Sequence, residues 1–429
     1  MKLRILLRIF LPMLVLQLAL TPASGQESAR KITLEDALRL FLENNIELRG
    51  QELEIAKARG HKKTAGLWSN PTVSYEREDL SLGDIEEGEE VIGLELELDL
   101  FFKRSLRKKS AEYGLGAAEA HFARYRAEGI AELKSTYALT LLAQRRVELL
   151  RETAEVFETA QTTGVARLEE GDISEFDQMR LAAEGDRYRR ELATAQLEYE
   201  SLQRELGVLI APVLDSPGSS HEEPVSAERI ALYEPAGALI YSPMELTLDQ
   251  ALEMALLERM DLRGAHYEAK AANESVRLAK RERLPGFTLF GGYKSQSDDL
   301  TGTVFEIGMD LPIFDRNQGE IAAGRAELLQ AEGRANLLRR EIRAQVESAY
   351  SKVQALAALV QAQESESAPE SGEILEIARV GYLEGEMSLL GLLDAAEAGY
   401  ERDAARDEIL AEYMIGLAEL ESAMGGSLK

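Results

Sequence analysis

Two hydrophobic spacings alternate along this chain, and each sequence of them occurs twice. A helical spacing opens each half. Thr33 with Asp36, and Thr247 with Gln250, make capping-box-like starts, and Leu248, Ala251, Leu252, Ala255 and Leu256 then hold one apolar face. Pro71 and Pro285 close these opening helices, because proline lacks the amide donor and disfavours helix in the residue before it. A period of two follows. Val73 and Tyr75 alternate with polar residues over a strand predicted at about 71–79, and a loop rich in Gly, Asp and Glu runs from Ser81 to Glu90. Leu94, Leu96, Leu98 and Leu100 then alternate with Glu95, Glu97 and Asp99 over about 91–101. In the second half Phe287, Leu289 and Tyr293 (about 286–295) lead through Ser295 to Gly302 into Phe305, Ile307, Met309 and Leu311, which alternate with Glu306, Gly308 and Asp310 over about 303–311. Strict alternation gives each ribbon one apolar and one acidic face.

Helical spacing then returns at great length. No proline falls between Ser105 and Ala166, and only Pro369 falls between Asn317 and Gly381. Some sixty helical residues at 1.5 Å rise span roughly 90 Å, far beyond a globular-core helix. Leu192, Ala195, Tyr199, Leu202, Leu206 and Leu209 alternate three and four apart, as do Ile342, Val346, Ala349, Val353, Leu356 and Val360. That is a coiled-coil seam, and it predicts long hairpins over about 105–209 and 317–424.

The two halves are copies. Ile32-Thr-Leu-Glu-Asp-Ala-Leu38 returns as Leu246-Thr-Leu-Asp-Gln-Ala-Leu252, 214 residues later, and the same offset relates Pro71 to Pro285, Gly171 to Gly385, Ser174 to Ser388 and Leu206 to Leu420. So long a period marks a duplicated fold and not a solenoid unit. The predicted organisation is a leader at 1–25, a first repeat at 26–210, an irregular proline-rich connector at 211–245 and a second repeat at 246–429.

Four ribbons are too few to close a barrel, and open edges are intolerable in lipid. Two readings remain. The ribbons form a small sandwich with a solvated acidic face, or several protomers pool them, leucines to lipid and carboxylates to water; three copies would give twelve strands, an even number as in bacterial barrels.

Composition narrows the setting. Lys2, Arg4 and Arg8 precede an apolar stretch from Ile9 to Leu20 and the small residues Ala23-Ser24-Gly25, the pattern of a cleaved secretory signal. The stretch is shorter than the roughly 20 residues of a spanning helix, and no other stretch reaches that length. There is no cysteine, so lipid attachment at an N-terminal cysteine, disulfides and thiolate metal sites are not expected. A formal charge of −27 excludes a general nucleic-acid binder and suits either solubility or a cation-attracting lumen.

The order of elements, the repeat and the local motifs together resemble the TolC-type outer membrane factors, the exit ducts of tripartite efflux and type I secretion, over about residues 30–425. The resemblance implies a mainly α fold with a small β part, made of two tandem repeats of helix, β-hairpin and long α-helical hairpin. It further implies a homotrimer with a 12-stranded transmembrane β-barrel in the outer membrane, continued by a periplasmic α-helical barrel. Implied partners are outer membrane lipid, a periplasmic adaptor (membrane fusion protein) and an inner-membrane efflux pump of the RND type, with no cofactor. Met309-Asp-Leu-Pro-Ile-Phe-Asp-Arg-Asn-Gln-Gly-Glu-Ile321 is similar to the strand-to-helix junction of the CzcC-like branch, which serves heavy-metal efflux; related junctions occur in drug-exporting relatives.

The same resemblance assigns positions. The hairpin tips are Arg167–Ser174 and Arg379–Ser388, with Gly171, Ser174, Val380, Gly381, Gly385 and Ser388 as adaptor contacts. Tight reversal calls for glycine there in any case. Asp394, Asp177 and Tyr382 match gate residues, and Glu95, Glu97, Asp99, Glu306 and Asp310 would line the barrel lumen. A ring of three Asp394 carboxylates would attract cations. Two positions depart from the family pattern: Gly391 stands where a second gate acid is usual, and Met387 where an arginine is usual; Arg180, the repeat-mate of Asp394, is a candidate substitute for the lock.

Enzyme signatures are missing. His61, His121, His221 and His266 lie far apart with no HExxH, no phosphate loop and no GxSxG, and Gly114-Leu-Gly116 lacks the rest of a dinucleotide site. The competing reading from another class is a periplasmic coiled-coil scaffold or adaptor without a channel. Adaptors usually carry one hairpin flanked by extensive β domains, whereas two hairpins alternate here with two strand pairs.

Overall fold

The computed structural model describes residues 29–82, 85–210, 231–365 and 371–426; the leader at 1–25, the connector up to residue 230 and Pro369 lie outside them. The first half runs β1 (Arg30–Ile32), α1 (Leu34–Asn44), α2 (Ile46–Ala65), β2 (Thr72–Leu82), β3 (Ile85–Leu98), α3 (Lys103–Glu170) and α4 (Glu175–Ile210). After β4 (Tyr233–Pro235) the second runs α5 (Leu248–Glu258), α6 (Met260–Glu282), β5 (Phe287–Gln296), β6 (Thr301–Met309), α7 (Gln318–Ser365), α8 (Ser371–Leu383) and α9 (Leu389–Met424). The fold is mainly helical with a small β part, built twice.

Three features differ from the sequence reading. Each opening helix is two helices, because Asn45 and Arg259 adopt extended backbone (ψ 120° and 113°) between them. Asn45 then caps α2, its side-chain oxygen accepting from the Leu48 amide at 2.9 Å. The second strand begins at Ile85, inside the stretch read as a loop. There Glu90, Glu89 and Gly88 pair with Arg77, Glu78 and Asp79, so ladder pairing outweighs the low strand propensity of that acidic segment. The connector also supplies β4, which pairs parallel with β1 and is locked by Tyr137, whose hydroxyl donates to the carbonyls of Ile32 (3.0 Å) and Ala236 (2.7 Å).

The other four strands form one antiparallel sheet in the order β2-β3-β5-β6. The two repeats join at β3 and β5, where Leu98 faces Phe287 and Leu94 faces Gly291. Strands β2 and β6 are the edges.

The helices bury the seams their spacing encodes. Ala195 and Leu206 on α4, and Ile342, Val346, Val353 and Val360 on α7, are buried. One polar tie is buried among them: Asp407 on α9, 3% exposed, takes Arg145 of α3 at 3.3 Å and its neighbour Arg406 at 3.4 Å.

The duplication extends to single hydrogen bonds. Asn45 donates to the Leu209 carbonyl (3.3 Å), and its repeat-mate Arg259 donates to the Ala423 carbonyl (3.2 Å). Each break between the short helices therefore satisfies a terminal carbonyl of its own hairpin's return helix. The second version is ionic. Arg259 is buried, donates to Asp261 (3.0 Å) and Gln345 (2.6 Å), and lies beside Arg124, which donates to the Ser422 carbonyl at 2.6 Å.

Candidate functional site

The sheet separates its faces by parity. Val73, Leu94, Gly291 and Phe305 form one cross-strand row, Tyr75, Ile92, Tyr293 and Thr303 the next, and Leu96, Leu289 and Ile307 another. All lie on one side, because side chains two apart share a face. That side is uncovered: Val73, Phe305 and Ile307 are 71%, 78% and 76% exposed. The opposite face carries Glu95, Glu97 and Glu306, with Phe290 between Glu95 and Glu306 in one row. Phe290 covers glycines, since a Cβ on Gly93 would come within 2.2 Å of its ring and one on Gly292 within 2.9 Å. The ring thus occupies space that bare glycine backbone leaves open. No sequence signal singled out Phe290; a Gly-Gly pair after an aromatic on a polar face is the signal that would have.

Asp99 and Asp310 lie beyond the strand ends. Asp99 caps α3, its carboxylate accepting from the amides of Lys103 (2.7 Å) and Arg104 (2.9 Å). Asp310 sits at the foot of the sheet, where its amide donates to Gly286 at 3.1 Å. Parity alone could not distinguish a strand carboxylate from the capping residue one step past the strand.

At the other end of the hairpins, Gly171 and Gly385 take left-handed backbone (φ 82° and 79°), where a side chain would be strained. Asp172 then donates to the Arg167 carbonyl at 2.8 Å and Glu386 to the Gly381 carbonyl at 2.8 Å, closing both helix ends alike. The returning helices also start alike. Ser174 accepts from the Asp177 amide (3.1 Å), and Ser388 from the Gly391 amide (3.2 Å). In the first repeat the Asp177 carboxylate reciprocates, accepting from the Ser174 hydroxyl at 2.8 Å. Its repeat-mate is Gly391, so the second cap is half a box.

Met387 explains that glycine. A Cβ on Gly391 would meet Met387 Cγ at 2.9 Å, and one on Gly381 would meet Met387 Cβ at 3.3 Å. Met387 thus fills the space between the two glycines and packs against the tip's apolar cluster.

Tyr382 is buried in that cluster, 1% exposed, and its hydroxyl has no hydrogen-bond partner. It does not bond Asp177, whose carboxylate is committed to Ser174. Burial pushes the phenol above its usual range; the Arg167 charge pulls it down and the Asp177 charge pushes it up. Besides the apolar cluster, Arg167 joins the tips. It donates to the Tyr382 carbonyl at 2.9 Å and lies 5.3 Å over the Tyr382 ring. Sequence reasoning used Arg167 only as a tip boundary. A lone cation in the last turn of α3, beside Glu169, Glu170 and Asp172, was the available signal.

Asp394 is exposed on α9, with no hydrogen-bond or ion-pair partner among the described residues, and the same holds for Arg180. Val380 is partly exposed at the second tip. Among the described residues, no group of three His, Asp or Glu is arranged to hold a metal, and no helix is long and apolar enough to cross a membrane, which says nothing of strands.

Comparison with known proteins agrees with this architecture. The model of the family described as outer membrane efflux protein matches residues 37–210 and 251–426, one match per repeat. The chain is 25% identical over 378 residues to the cobalt-zinc-cadmium resistance protein CzcC of Cupriavidus metallidurans, covering 88% of this chain and 86% of that one. It is 27% identical over 426 residues to the outer membrane protein OprJ of Pseudomonas aeruginosa, covering 90% and 82%. Among solved structures, the Campylobacter jejuni CmeC outer membrane channel superposes with a TM-score of 0.76 at 18% identity, covering 92% of this chain and 86% of that one. CusC superposes with a TM-score of 0.72 at 19% identity, covering 94% and 96%.

Proposed function

The chain belongs to the outer membrane efflux protein family, and on that premise we propose that three copies form one passive export duct fed by a periplasmic adaptor and an inner-membrane pump of the RND type. The observation that carries this reading is the sheet: an uncovered apolar face, an acidic face behind it, and free edges on β2 and β6. Lipid tolerates strands only when every backbone group is paired, and one protomer leaves two edges open. Edge-to-edge closure of three sheets removes all of them and turns Glu95, Glu97 and Glu306 to the lumen. The helices then continue the wall, with exposed Leu329, Leu337 and Leu359 of α7 available to neighbouring protomers.

The tips supply the gate. Arg167 ties the first hairpin to the second within each protomer, in place of the Tyr382–Asp177 bond, and three exposed Asp394 carboxylates ring the narrowing pore. The turns around Gly171, Ser174, Val380, Gly381, Gly385 and Ser388 offer the adaptor its contact. Adaptor binding biases an equilibrium between closed and parted tips. The likeness to a cobalt-zinc-cadmium resistance protein supports divalent metal cations as cargo, conducted through an acidic lumen and not tightly held.

The test is fractionation followed by bilayer recording. A detergent-extracted outer membrane trimer of cation-selective conductance is expected; a soluble periplasmic monomer rejects the duct. Deleting the gene should sensitise the host to cobalt, zinc or cadmium. Unchanged tolerance to all three removes the cargo assignment and leaves the duct standing.

A further inference from the structure

In a chain of charge −27, one group of positive charges lies where the sheet meets the helices. The ends of α2 and α6 and the start of α3 bring together Lys63, Arg107, Lys108, Lys109, Lys280 and Arg283. All six are exposed, and none has an acidic hydrogen-bond or ion-pair partner among the described residues. Helix α3 has no acidic residue in its first turn and opens Lys103-Arg104, with Arg107, Lys108 and Lys109 close behind. Cations at a helix N-terminus oppose its dipole, so local helix energetics do not account for them. The repeat-mate helix α7 begins with Glu320 in its first turn, and its own basic group, Arg334, Arg339, Arg340 and Arg343, lies several turns farther along.

Immediately toward the sheet stands a set of exposed apolar side chains: Trp68, Phe102 and Phe314 are 63%, 69% and 92% exposed. The Arg104 guanidinium lies 4.1 Å over the Trp68 ring, and Lys108 packs near Gly66, two residues before that tryptophan. Acidic groups stand at the same level, and two of those nearest the cations are engaged. Glu112 is paired with Lys62 at 2.9 Å, and its carboxyl is held below the usual range first by that hydrogen bond and then by the charge of Lys62 and, further off, of Lys108 and Lys109. Glu282 faces the amide of Asn317 at 3.4 Å.

We propose that this basic collar binds the headgroup phosphates of anionic phospholipids in the periplasmic leaflet, with Trp68, Phe102 and Phe314 seated at the interface above it. The inference rests on the membrane placement of the sheet. Aromatic side chains favour the boundary between acyl chains and headgroups, and basic residues just beyond it meet the phosphates. The six exposed cations of the collar have no acidic partner among the described residues, and a phosphate surface would supply one. The collar would fix how deep the barrel sits.

Trp68 is the chain's single tryptophan, so its fluorescence reports this level directly. The full-length trimer would be reconstituted in phosphatidylcholine bilayers containing phosphatidylglycerol, with either lipid brominated on its acyl chains. Each basic side chain near an anionic surface is worth about fivefold in local lipid concentration. Brominated phosphatidylglycerol should therefore quench Trp68 at a mole fraction at least about fivefold lower than brominated phosphatidylcholine. The triple variant Arg107→Gln, Lys108→Gln, Lys109→Gln should lose most of that preference, while brominated phosphatidylcholine still quenches it. Should the variant fail to assemble, 0.5 M salt on the wild type must weaken the preference instead. Equal quenching by the two lipids, a preference indifferent to salt and substitution, or a Trp68 that neither lipid quenches overturns the proposal. Channel conductance in the same bilayers reports separately on the duct.

Discussion

Arg167→Ala should loosen the gate without unfolding the hairpins. The side chain makes two contacts across the tips, a hydrogen bond to the Tyr382 carbonyl at 2.9 Å and a stack 5.3 Å over its ring. A charged donor on a carbonyl contributes about 1.5–3 kcal/mol, and the lower end applies to a half-buried guanidinium. The stack adds about 0.5 kcal/mol at such a distance. The tie is thus worth about 2 kcal/mol per protomer, or about thirtyfold in the balance between joined and parted tips. If three ties break together, the trimer shifts by about 6 kcal/mol, on the order of 10⁴-fold. Of the apolar cluster beneath, where Phe157 stacks on Tyr188 at 5.0 Å, Arg167 touches only the Tyr382 ring, so the apolar contacts within the cluster remain. Near-ultraviolet circular dichroism should therefore stay close to wild type. Single-channel recording without adaptor should show a larger open fraction, and Arg167→Lys an intermediate one, because an ammonium keeps the charge but loses the planar fork. Wild-type gating in Arg167→Ala, with assembly intact, would refute the tie.

Three further outcomes follow from the same geometry. Asp394→Ala should raise conductance and weaken block by divalent cations, read in planar bilayers, because it removes three unpartnered carboxylates from the proposed ring. Arg259→Ala should cost about 3 kcal/mol, the lower end for a broken buried pair, since Asp261 keeps only Arg124 as a cation partner, at 3.7 Å, whereas Asn45→Ala at the matching position should cost about 1–2 kcal/mol; hydrogen exchange near residues 415–426 and 203–210 separates them. Acid should weaken the Arg259 end. Burial raises the Asp261 carboxyl, but the Arg259 hydrogen bond, its charge and that of Arg124 together leave it below its unfolded value of 3.8. A depressed carboxyl stabilises fully above that value and loses its contribution as pH falls through the folded one. Exchange there should accelerate below about pH 4 in the wild type and lose that step in Asp261→Asn.

What could be read in advance depended on how local its cause was. Period-two alternation at Leu94 to Leu98 and at Phe305 to Met309 marked the sheet faces, because pleating makes parity a local property. The seam at Ile342 to Val360 was equally local. The breaks at Asn45 and Arg259 were not, for each exists to reach a carbonyl 164 residues away. Arg167 was hidden for the same reason, its acceptor lying 215 residues on. Gly391 and Met387 are coupled through space and not through sequence pattern, because one side chain fills the space above the other's missing Cβ. Asp99 kept the parity of a lumen carboxylate while serving α3 as its cap.

Closure of three sheets into one barrel is tested most directly by disulfide trapping, and a chain without native cysteine makes that clean. Within one protomer β2 and β6 are separated by β3 and β5, roughly 14 Å at 4.8 Å per strand, beyond the reach of any disulfide. Val73→Cys on β2, combined in turn with cysteine at Thr301, Thr303, Phe305 or Ile307 on β6, should give covalent dimers and trimers at one register upon oxidation in membranes. Monomer alone at every register, in chains shown to have reached the outer membrane, would contradict the shared barrel.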